Sequence, residues 1–175
     1  MRAFNELSQE EQIIHEQWMT LALNEAQKAA KIGEVPIGAV IVQRDRLIAS
    51  AYNLREVNRM ATAHAELLAI EKANQAMDAW RVEDARLYVT LEPCPMCAGA
   101  IINARIPQII FGAKDPKAGC AGSLYNLLED GKFNHTVDVI SGVLEEECGM
   151  ILSQFFKELR NNKKKLSTEN SNCAQ

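Results

Sequence analysis

The chain has 175 residues, enough for one domain that buries its own core without disulfide bridges. Its 47% hydrophobic and 24% charged residues, with a net charge of −4, exclude a disordered, collagen-like or membrane-embedded protein. The first residues lack the apolar stretch of a secretory signal, and no apolar run approaches the roughly 18 residues that cross a bilayer. We therefore expect a cytoplasmic location and no membrane partner. The mild acidity also argues against non-specific coating of nucleic acid.

Helices and strands alternate along the predicted fold. A capping box at Ser8–Glu11 begins a first amphipathic helix that ends at Gly33, and two apolar runs at 37–42 and 47–52 predict an antiparallel hairpin. The later elements, in order, are a helix over 63–77 with Thr62 as N-cap, a strand over 86–90, a helix over 95–104 with Cys94 as N-cap, a strand over 108–112, a short helix near 124–128, a strand near 136–140 and a last helix over 144–160.

Strands separated by helices predict the α/β fold class. We expect a three-layer α/β/α sandwich in which a five-stranded mixed sheet is covered by helices on both faces. Residues 1–160 are assigned to a single domain, and residues 161–175, which include Lys163–Lys165, to a flexible polar tail.

Five cysteines at irregular spacing do not form a disulfide framework in a reducing compartment. Only Cys94 and Cys97 are close enough in the chain to act as a pair, in metal binding or in redox chemistry. Cys120 and Cys148 are expected to be small buried apolar residues, and Cys173 falls in the tail.

The residues that carry chemistry are His64-Ala65-Glu66 and Pro93-Cys94-Pro95-Met96-Cys97. Zinc prefers nitrogen and sulfur ligands in a tetrahedron, so one histidine and two cysteines would leave a fourth position open for water, as in a catalytic site. Each motif falls at a predicted helix start, where backbone N–H groups favour the thiolate that binds metal. Glu66 is the candidate base, although residues i and i+2 do not face each other on a regular helix.

Taken separately, each motif has an ordinary explanation. A single C-x-x-C is often a redox pair or half of a structural zinc knuckle, and H-A-E on an amphipathic helix is usually a solvated face. The other histidines, His15 and His135, are expected at the surface. The two motifs at successive helix starts, with a strand between them, favour a catalytic metal site.

This conjunction resembles the signature of the zinc-dependent nucleoside and nucleobase deaminases, and within them the bacterial tRNA-specific adenosine deaminases. The similarity extends over residues 14–160. The blocks that carry it are EVPIGAV at 34–40, TAHAE at 62–66, LYVTLEPCPMCAGA at 87–100 and FGAKDPKAG at 111–119, with Asn134-His135 and Phe155-Phe156-Lys157. The block at 111–119 indicates the tRNA branch, because the zinc motifs are common to the whole superfamily. Pro116 and Cys120 depart slightly from the family pattern.

The resemblance implies a cytidine deaminase-like fold and a hydrolase that converts adenosine to inosine at the wobble position (position 34) of a tRNA anticodon. One zinc ion per subunit, held by His64, Cys94 and Cys97, would carry a hydroxide that attacks C6 of adenine, with Glu66 moving the proton. The resemblance also implies a homodimer whose subunits both contact the tRNA anticodon stem-loop, and no DNA as the natural substrate.

Substrate contacts are implied by the same resemblance. Asn53 would hydrogen-bond the flipped nucleoside, the backbone of Ala65 the base edge, and Asp115 the ribose. Their ordinary alternatives are a turn residue, a helix former and a turn cap, respectively. The residues implied for neighbouring nucleotides of the loop are Lys117, Asn134, Phe156 and Arg160.

Two other functions stay open. The same fold and zinc site could deaminate a free pyrimidine nucleoside, guanine or another small substrate. A zinc module could also bind RNA or protein without catalysis, although Glu66 and the missing fourth protein ligand argue against it. Residues 154–165 carry five basic side chains against one acidic one, so a local basic strip is available to one RNA loop. Neutralising Lys163–Lys165 is then expected to weaken tRNA binding and leave zinc in place.

Overall fold

The computed structural model of the chain describes the backbone of residues 1–172 and the side chains of residues 1–162. The strands are β1 (Arg2–Ala3), β2 (Gly38–Gln43), β3 (Arg46–Tyr52), β4 (Ala85–Leu91), β5 (Gln108–Ala113) and β6 (Asp138–Ser141). The helices are α1 (Gln9–Lys31), α2 (Arg55–Asn58), α3 (Ala65–Met77), α4 (Pro95–Asn103) and α5 (Glu145–Asn172), with a 3-10 turn at Phe4–Glu6. None of the described helices is both long and apolar enough to span a lipid bilayer.

The six strands form one mixed sheet in the order β1-β6-β5-β4-β2-β3. Strands β4, β5, β6 and β1 run parallel, whereas β2 is antiparallel to β3 and β4. The predicted α/β/α sandwich is confirmed, but it has six strands rather than five. The additional strand pairs Arg2–Ala3 with Ile140–Ser141. Two residues are too few to leave a periodic pattern in the sequence.

Each face of the sheet has its own apolar core. In β4, Leu87 and Val89 pack in the cluster that includes α3 and α4, whereas Tyr88 packs on the opposite face with α1 and α5. Successive residues of a strand face opposite sides, so a sheet covered on both faces requires the nearly continuous apolar runs found here.

Gly38 lies where α1 comes closest to the sheet. A Cβ at this position would lie 2.0 Å from the Ala22 carbonyl oxygen and 2.5 Å from the Ala26 nitrogen. Both atoms belong to a helix backbone, so we expect Gly38→Ala to lower the free energy of unfolding by about 2 kcal/mol or more. Gly149→Ala is the matched control: its Cβ would meet no atom within 4 Å. It should leave stability unchanged or raise it by up to about 1 kcal/mol in urea unfolding. A urea midpoint for Gly38→Ala equal to that of wild type would contradict this close packing of Gly38 against α1.

Several local predictions are confirmed and two are wrong. The Ser8–Glu11 capping box, the hairpin and the helix that begins at Pro95 are all present. Helix α3 is capped by His64 and not by Thr62, because the chain stays extended at His64, with φ −80° and ψ 151°. Residues 124–128, which the structure describes in full, form no helix. Instead an isolated bridge joins Ala121 to Asn126.

Helix α5 continues to Asn172, past its predicted end at Arg160. Residues 161–172 contain no glycine or proline to end the helix, although most of them are Asn, Ser or Thr, which are weak helix formers. The predicted boundary between domain and tail therefore lies inside a helix, and the flexibility of the tail stays a prediction. The side chains of Lys163–Lys165, and Cys173 as a whole, lie outside the described residues. Cys120 and Cys148 are buried, as predicted.

The surface position predicted for the two remaining histidines is wrong for His15 and holds only in part for His135. His15 is buried in α1, and its Nδ1 lies 3.0 Å from the Tyr88 hydroxyl. His135 is half-buried, and its Nε2 donates to the Ile106 carbonyl over 2.8 Å. Both partners are distant in the chain, so no local pattern indicates these contacts. Burial, and next the Arg86 cation, lowers the pKa of His15 below its usual 6.5.

The buried His15 predicts a pH-dependent stability. A lowered pKa in the folded state favours the neutral ring, so its contribution is present above pH 6.5 and is lost as the pH falls through the folded-state pKa. Protonating the ring would place a second positive charge in this buried site near the Arg86 cation, which the folded state disfavours. Wild type should therefore lose more unfolding free energy than His15→Gln between about pH 7.5 and 5.5. Equal losses of unfolding free energy in the two proteins, measured by urea titration, would contradict this role of His15. The comparison cancels the pH dependence of the titratable groups that both proteins share.

Candidate active site

The two sequence motifs meet at the starts of two helices, where His64 and Cys94 occupy the N-cap positions. His64 precedes α3 and Cys94 precedes α4, both with extended backbone. Pro95 occupies the first turn of α4, where its missing N–H has no partner to lose, and Cys97 follows as the third helical residue. Residues at positions i and i+2 point in different directions when both are helical. Because His64 precedes the helix, this spacing does not prevent its side chain and that of Glu66 from facing the same site.

His64, Cys94 and Cys97 form the cluster predicted from the sequence. The Nδ1 atom of His64 lies 3.7 Å from the Cys94 sulfur and 3.6 Å from the Cys97 sulfur. All three candidate ligand atoms lie within 4.8 Å of one another. Tetrahedral zinc bonds of about 2.0–2.3 Å place neighbouring nitrogen and sulfur ligands about 3.5 Å apart, so the donor set and its spacing fit this ion. Among the described residues the cluster has no fourth side-chain ligand.

The pKa values of the residues in and beside the cluster shift in different directions. A hydrogen bond from Cys97, with further help from His64, lowers the pKa of Cys94 to about 4. The same Cys94 contact and burial raise the pKa of Cys97. The hydrogen bond to Cys94 also raises the pKa of His64. Burial raises the pKa of Glu66, and the neighbouring Cys94 charge adds to the effect. A buried carboxyl group beside the candidate metal ligands is thus able to hold a proton.

Asn53 is buried at the end of β3 and is held by a second buried side chain, Glu34. Its Nδ2 donates to Glu34 Oε2 over 2.9 Å, and Glu34 Oε1 accepts from the Val57 backbone N–H over 2.7 Å. A carboxylate can only accept, so the amide is fixed with its NH2 group toward Glu34 and its oxygen left as an acceptor. Sequence reasoning missed this role of Glu34, whose partners lie 19 and 23 residues away.

Asp115 is half-buried in the loop that follows β5. Its Oδ1 accepts from the Lys117 and Ala118 backbone N–H groups over 2.9 and 3.2 Å. The side chain therefore caps a turn, which is the ordinary role expected of an aspartate before Pro116. Its own N–H donates to Glu92 Oε2 over 3.0 Å. Sequence reasoning missed Glu92 as a buried carboxylate beside the cysteine motif.

The other predicted substrate residues occupy different settings. Ala65 is fully buried as the first residue of α3. Asn134 is exposed and accepts from Arg105 over 3.0 Å. Phe156 is 39% exposed on α5 and packs edge-to-face on Phe155. Lys117 and Arg160 are also exposed. The structure brings together the metal cluster, Ala65 and Glu66, but no described hydrogen bond or ion pair links Asn134, Phe156 or Arg160 to it.

The family of MafB19-like deaminases matches residues 13–160. The tRNA-specific adenosine deaminase of Bacillus subtilis (strain 168) is 57% identical over 149 residues, which are 85% of this chain and 92% of the relative. The chain belongs to the tRNA-specific adenosine deaminase family. The Haemophilus influenzae enzyme of the same name is 47% identical over 150 residues, 85% of this chain and 87% of the relative.

The fold of this deaminase also matches a solved structure. That structure comes from studies of A-to-I editing by tRNA:A34 deaminases at the wobble position of transfer RNA. The TM-score is 0.75 at 45% identity, over 78% of this chain and 99% of that chain. The predicted family and the cytidine deaminase-like fold are therefore confirmed.

Proposed function

We propose that this protein deaminates adenosine to inosine at the wobble position, position 34, of a tRNA anticodon. The observation that carries the proposal is the His64, Cys94 and Cys97 cluster with the buried Glu66 beside it. This site lies in a chain that is 57% identical to the B. subtilis tRNA-specific adenosine deaminase. The reaction is hydrolytic: water supplies the oxygen at C6 of the purine, and the amino group leaves as ammonia.

We assign the metal to His64, Cys94 and Cys97, one zinc ion per subunit. Bound there, zinc would lower the pKa of a water molecule from about 16 toward 7 and so make a nucleophile available at neutral pH. The chain supplies only three ligands in the described residues, which leaves room for that water. Both cysteines lie at the N-terminus of α4, where the helix dipole stabilises thiolates.

Glu66 moves the protons. Its carboxylate takes one proton from the attacking water and delivers it to N1 of adenine as the C6–O bond forms. The carboxylate then takes the remaining proton from the new C6 hydroxyl and transfers it to the exocyclic nitrogen, so that ammonia leaves as the C6–N bond breaks and the C6 carbonyl forms. One carboxyl group thus acts first as a base and then as an acid. Burial removes competing water from Glu66 and keeps this proton inside the site.

The substrate has to present an unpaired base, because C6 and N1 of adenine are inaccessible within a duplex. An anticodon loop meets this requirement with little unstacking. We assign the fixed amide of Asn53 to the flipped nucleoside, the Ala65 backbone to the base edge and Asp115 to the ribose. The neighbouring nucleotides are assigned to the exposed side chains Lys117, Asn134, Phe156 and Arg160.

The oligomeric state and the cellular location of the enzyme belong to the same proposal. A homodimer in which both subunits contact one anticodon stem-loop is expected, and light scattering of the purified protein measures its mass directly. Transfer RNA as substrate also fits the cytoplasmic location predicted from the sequence.

A substrate panel tests the proposal against its alternatives. Purified, zinc-loaded protein is incubated separately with an anticodon stem-loop that carries A34, with adenosine, with cytidine and with guanine. We expect inosine in the stem-loop digest and little conversion of the small substrates. Activity on a free base or nucleoside with none on the stem-loop would reject the tRNA assignment. A protein that binds zinc but converts no substrate would favour the non-catalytic zinc module.

A further inference from the structure

Glu92 is a buried carboxylate, 2% exposed, at the end of β4 and two residues before Cys94. None of the ion pairs in the described part of the chain includes it. Its partners are instead N–H and O–H groups of one segment, residues 114–123, which we call the substrate loop. An unpaired charge at this depth would be strongly unfavourable without such donors.

Together, the two oxygens of Glu92 hold both ends of the substrate loop. Oε2 accepts from the Asp115 N–H over 3.0 Å and from the Ser123 hydroxyl. Oε1 accepts from the Ala121 and Ser123 N–H groups, each over 2.9 Å. A carboxylate that accepts four hydrogen bonds from one loop fixes the path of that loop more tightly than any single contact.

The loop also closes tightly over this carboxylate at Gly119. A Cβ there would lie 2.4 Å from the Glu92 carboxyl carbon and 2.6 Å from the Asp115 carbonyl oxygen. The Gly119 N–H donates to that same Asp115 oxygen over 2.9 Å. Only glycine leaves room for the loop to wrap around the charged group at this point.

The same loop is attached to the cysteine motif at a second point. The Cys120 N–H donates to the Pro93 carbonyl over 2.8 Å, and the Glu92 N–H donates to the Ala113 carbonyl over 2.9 Å. Glu92 and Pro93 lead directly into Cys94. The position of Asp115 is therefore tied through Glu92 to the turn that carries the proposed metal ligands.

We propose that Glu92 is a positioning residue, which sets the substrate loop and its Asp115 relative to the metal centre through the buried hydrogen bonds described above. This inference rests on the proposed function, because Asp115 is assigned there to the ribose. Glu92 itself is assigned no contact with metal or substrate. Its effect on the reaction comes through the place of Asp115.

Glu92→Gln tests the proposal with a change of one atom. If the amide oxygen takes the place of Oε1, it still accepts from the Ala121 and Ser123 N–H groups. The NH2 group then takes the place of Oε2, where it faces the Asp115 N–H and cannot accept from it. The Ser123 hydroxyl can rotate and accept. The substitution thus releases the Asp115 anchor selectively. Ser123→Ala is the matched control, because it removes a hydrogen bond from the same oxygen and leaves the Asp115 anchor intact.

We expect the KM of Glu92→Gln for the A34 stem-loop to rise about tenfold or more, with kcat changed less than about threefold, because the lost contact serves binding. Zinc stoichiometry should stay at the wild-type value. Ser123→Ala should lower the melting temperature and leave KM within about twofold of wild type. An unchanged KM in Glu92→Gln, or an equal rise in Ser123→Ala, would overturn the proposal.

Hydrogen exchange separates a failure of this inference from a failure of the proposed function. Backbone amides of residues 113–119 should exchange faster in Glu92→Gln than in wild type or in Ser123→Ala, and unchanged exchange would overturn the inference by itself. A wild-type protein that forms no inosine would instead reject the proposed function. If Glu92→Gln does not fold, Glu92→Asp, which keeps the charge but withdraws it from the loop, should give the same faster exchange and higher KM. Wild-type values for Glu92→Asp would equally overturn the inference.

Discussion

Glu66→Gln should remove deamination almost completely and leave zinc bound. The amide keeps the size and place of the buried side chain but cannot accept the proton of the attacking water. General acid–base groups contribute about 10²–10⁴-fold to rate, and one residue here serves two proton transfers, so the loss should lie at the upper end of that range. Inosine formation on the A34 stem-loop and metal analysis of the same preparation measure both quantities.

Glu71→Gln is the matched control for that experiment. Glu71 lies on the same helix, α3, but is exposed. The control should keep both zinc and activity. Near-normal deamination by Glu66→Gln with a full zinc load would contradict the assignment of Glu66 as the proton carrier.

Cys97→Ala should lose zinc and activity together. Two remaining ligands do not hold zinc in the tetrahedral site that the Nδ1 and sulfur distances describe. A ligand present at 100 times its Kd stabilises the folded state by about 2.7 kcal/mol, which corresponds to several degrees in melting temperature for a protein of this size. Added zinc should therefore raise the melting temperature of metal-depleted wild type and not that of Cys97→Ala.

Cys148→Ala is the control for Cys97→Ala. Cys148 is equally buried, but it packs against Gly112 in the core cluster of α1 and α5. This variant should lose some stability and still take up one zinc ion per chain. A full zinc load in Cys97→Ala, or zinc loss in Cys148→Ala, would contradict the proposed ligand set.

Local signals in the sequence were sufficient for the elements that bring the metal cluster together. The Ser8 capping box and Pro95 at the start of α4 act through residues only a few positions apart. His64 and Cys97 could be named as ligand candidates for the same reason, since each lies at a helix start with a chemically specific side chain. Local spacing also predicts the order of the longer helices and strands, but not β1 or α2, and it wrongly adds a helix at 124–128.

Long-range partners account for what the sequence did not predict. A charged residue is ordinarily exposed, and nothing near Glu34 or Glu92 shows that each is buried among donors 19 to 31 residues away. The apolar residues of 124–128 have helical spacing, yet their backbone pairs with residues outside the segment: the Leu127 N–H donates to the Cys120 carbonyl over 3.0 Å, and the Leu128 carbonyl accepts from the Val137 N–H over 2.8 Å. His15 is buried in contact with Tyr88, 73 residues away.

Mapping of inosine on total tRNA tests directly whether this protein deaminates the wobble adenosine. Unmodified tRNA is incubated with zinc-loaded wild type or with Glu66→Gln, digested and sequenced at every adenosine. We expect inosine at position 34 of one or a few tRNAs with wild type, and none with Glu66→Gln. Inosine absent from tRNA while the same preparation deaminates free guanine or a free nucleoside, or equal inosine with both proteins, would contradict this expectation.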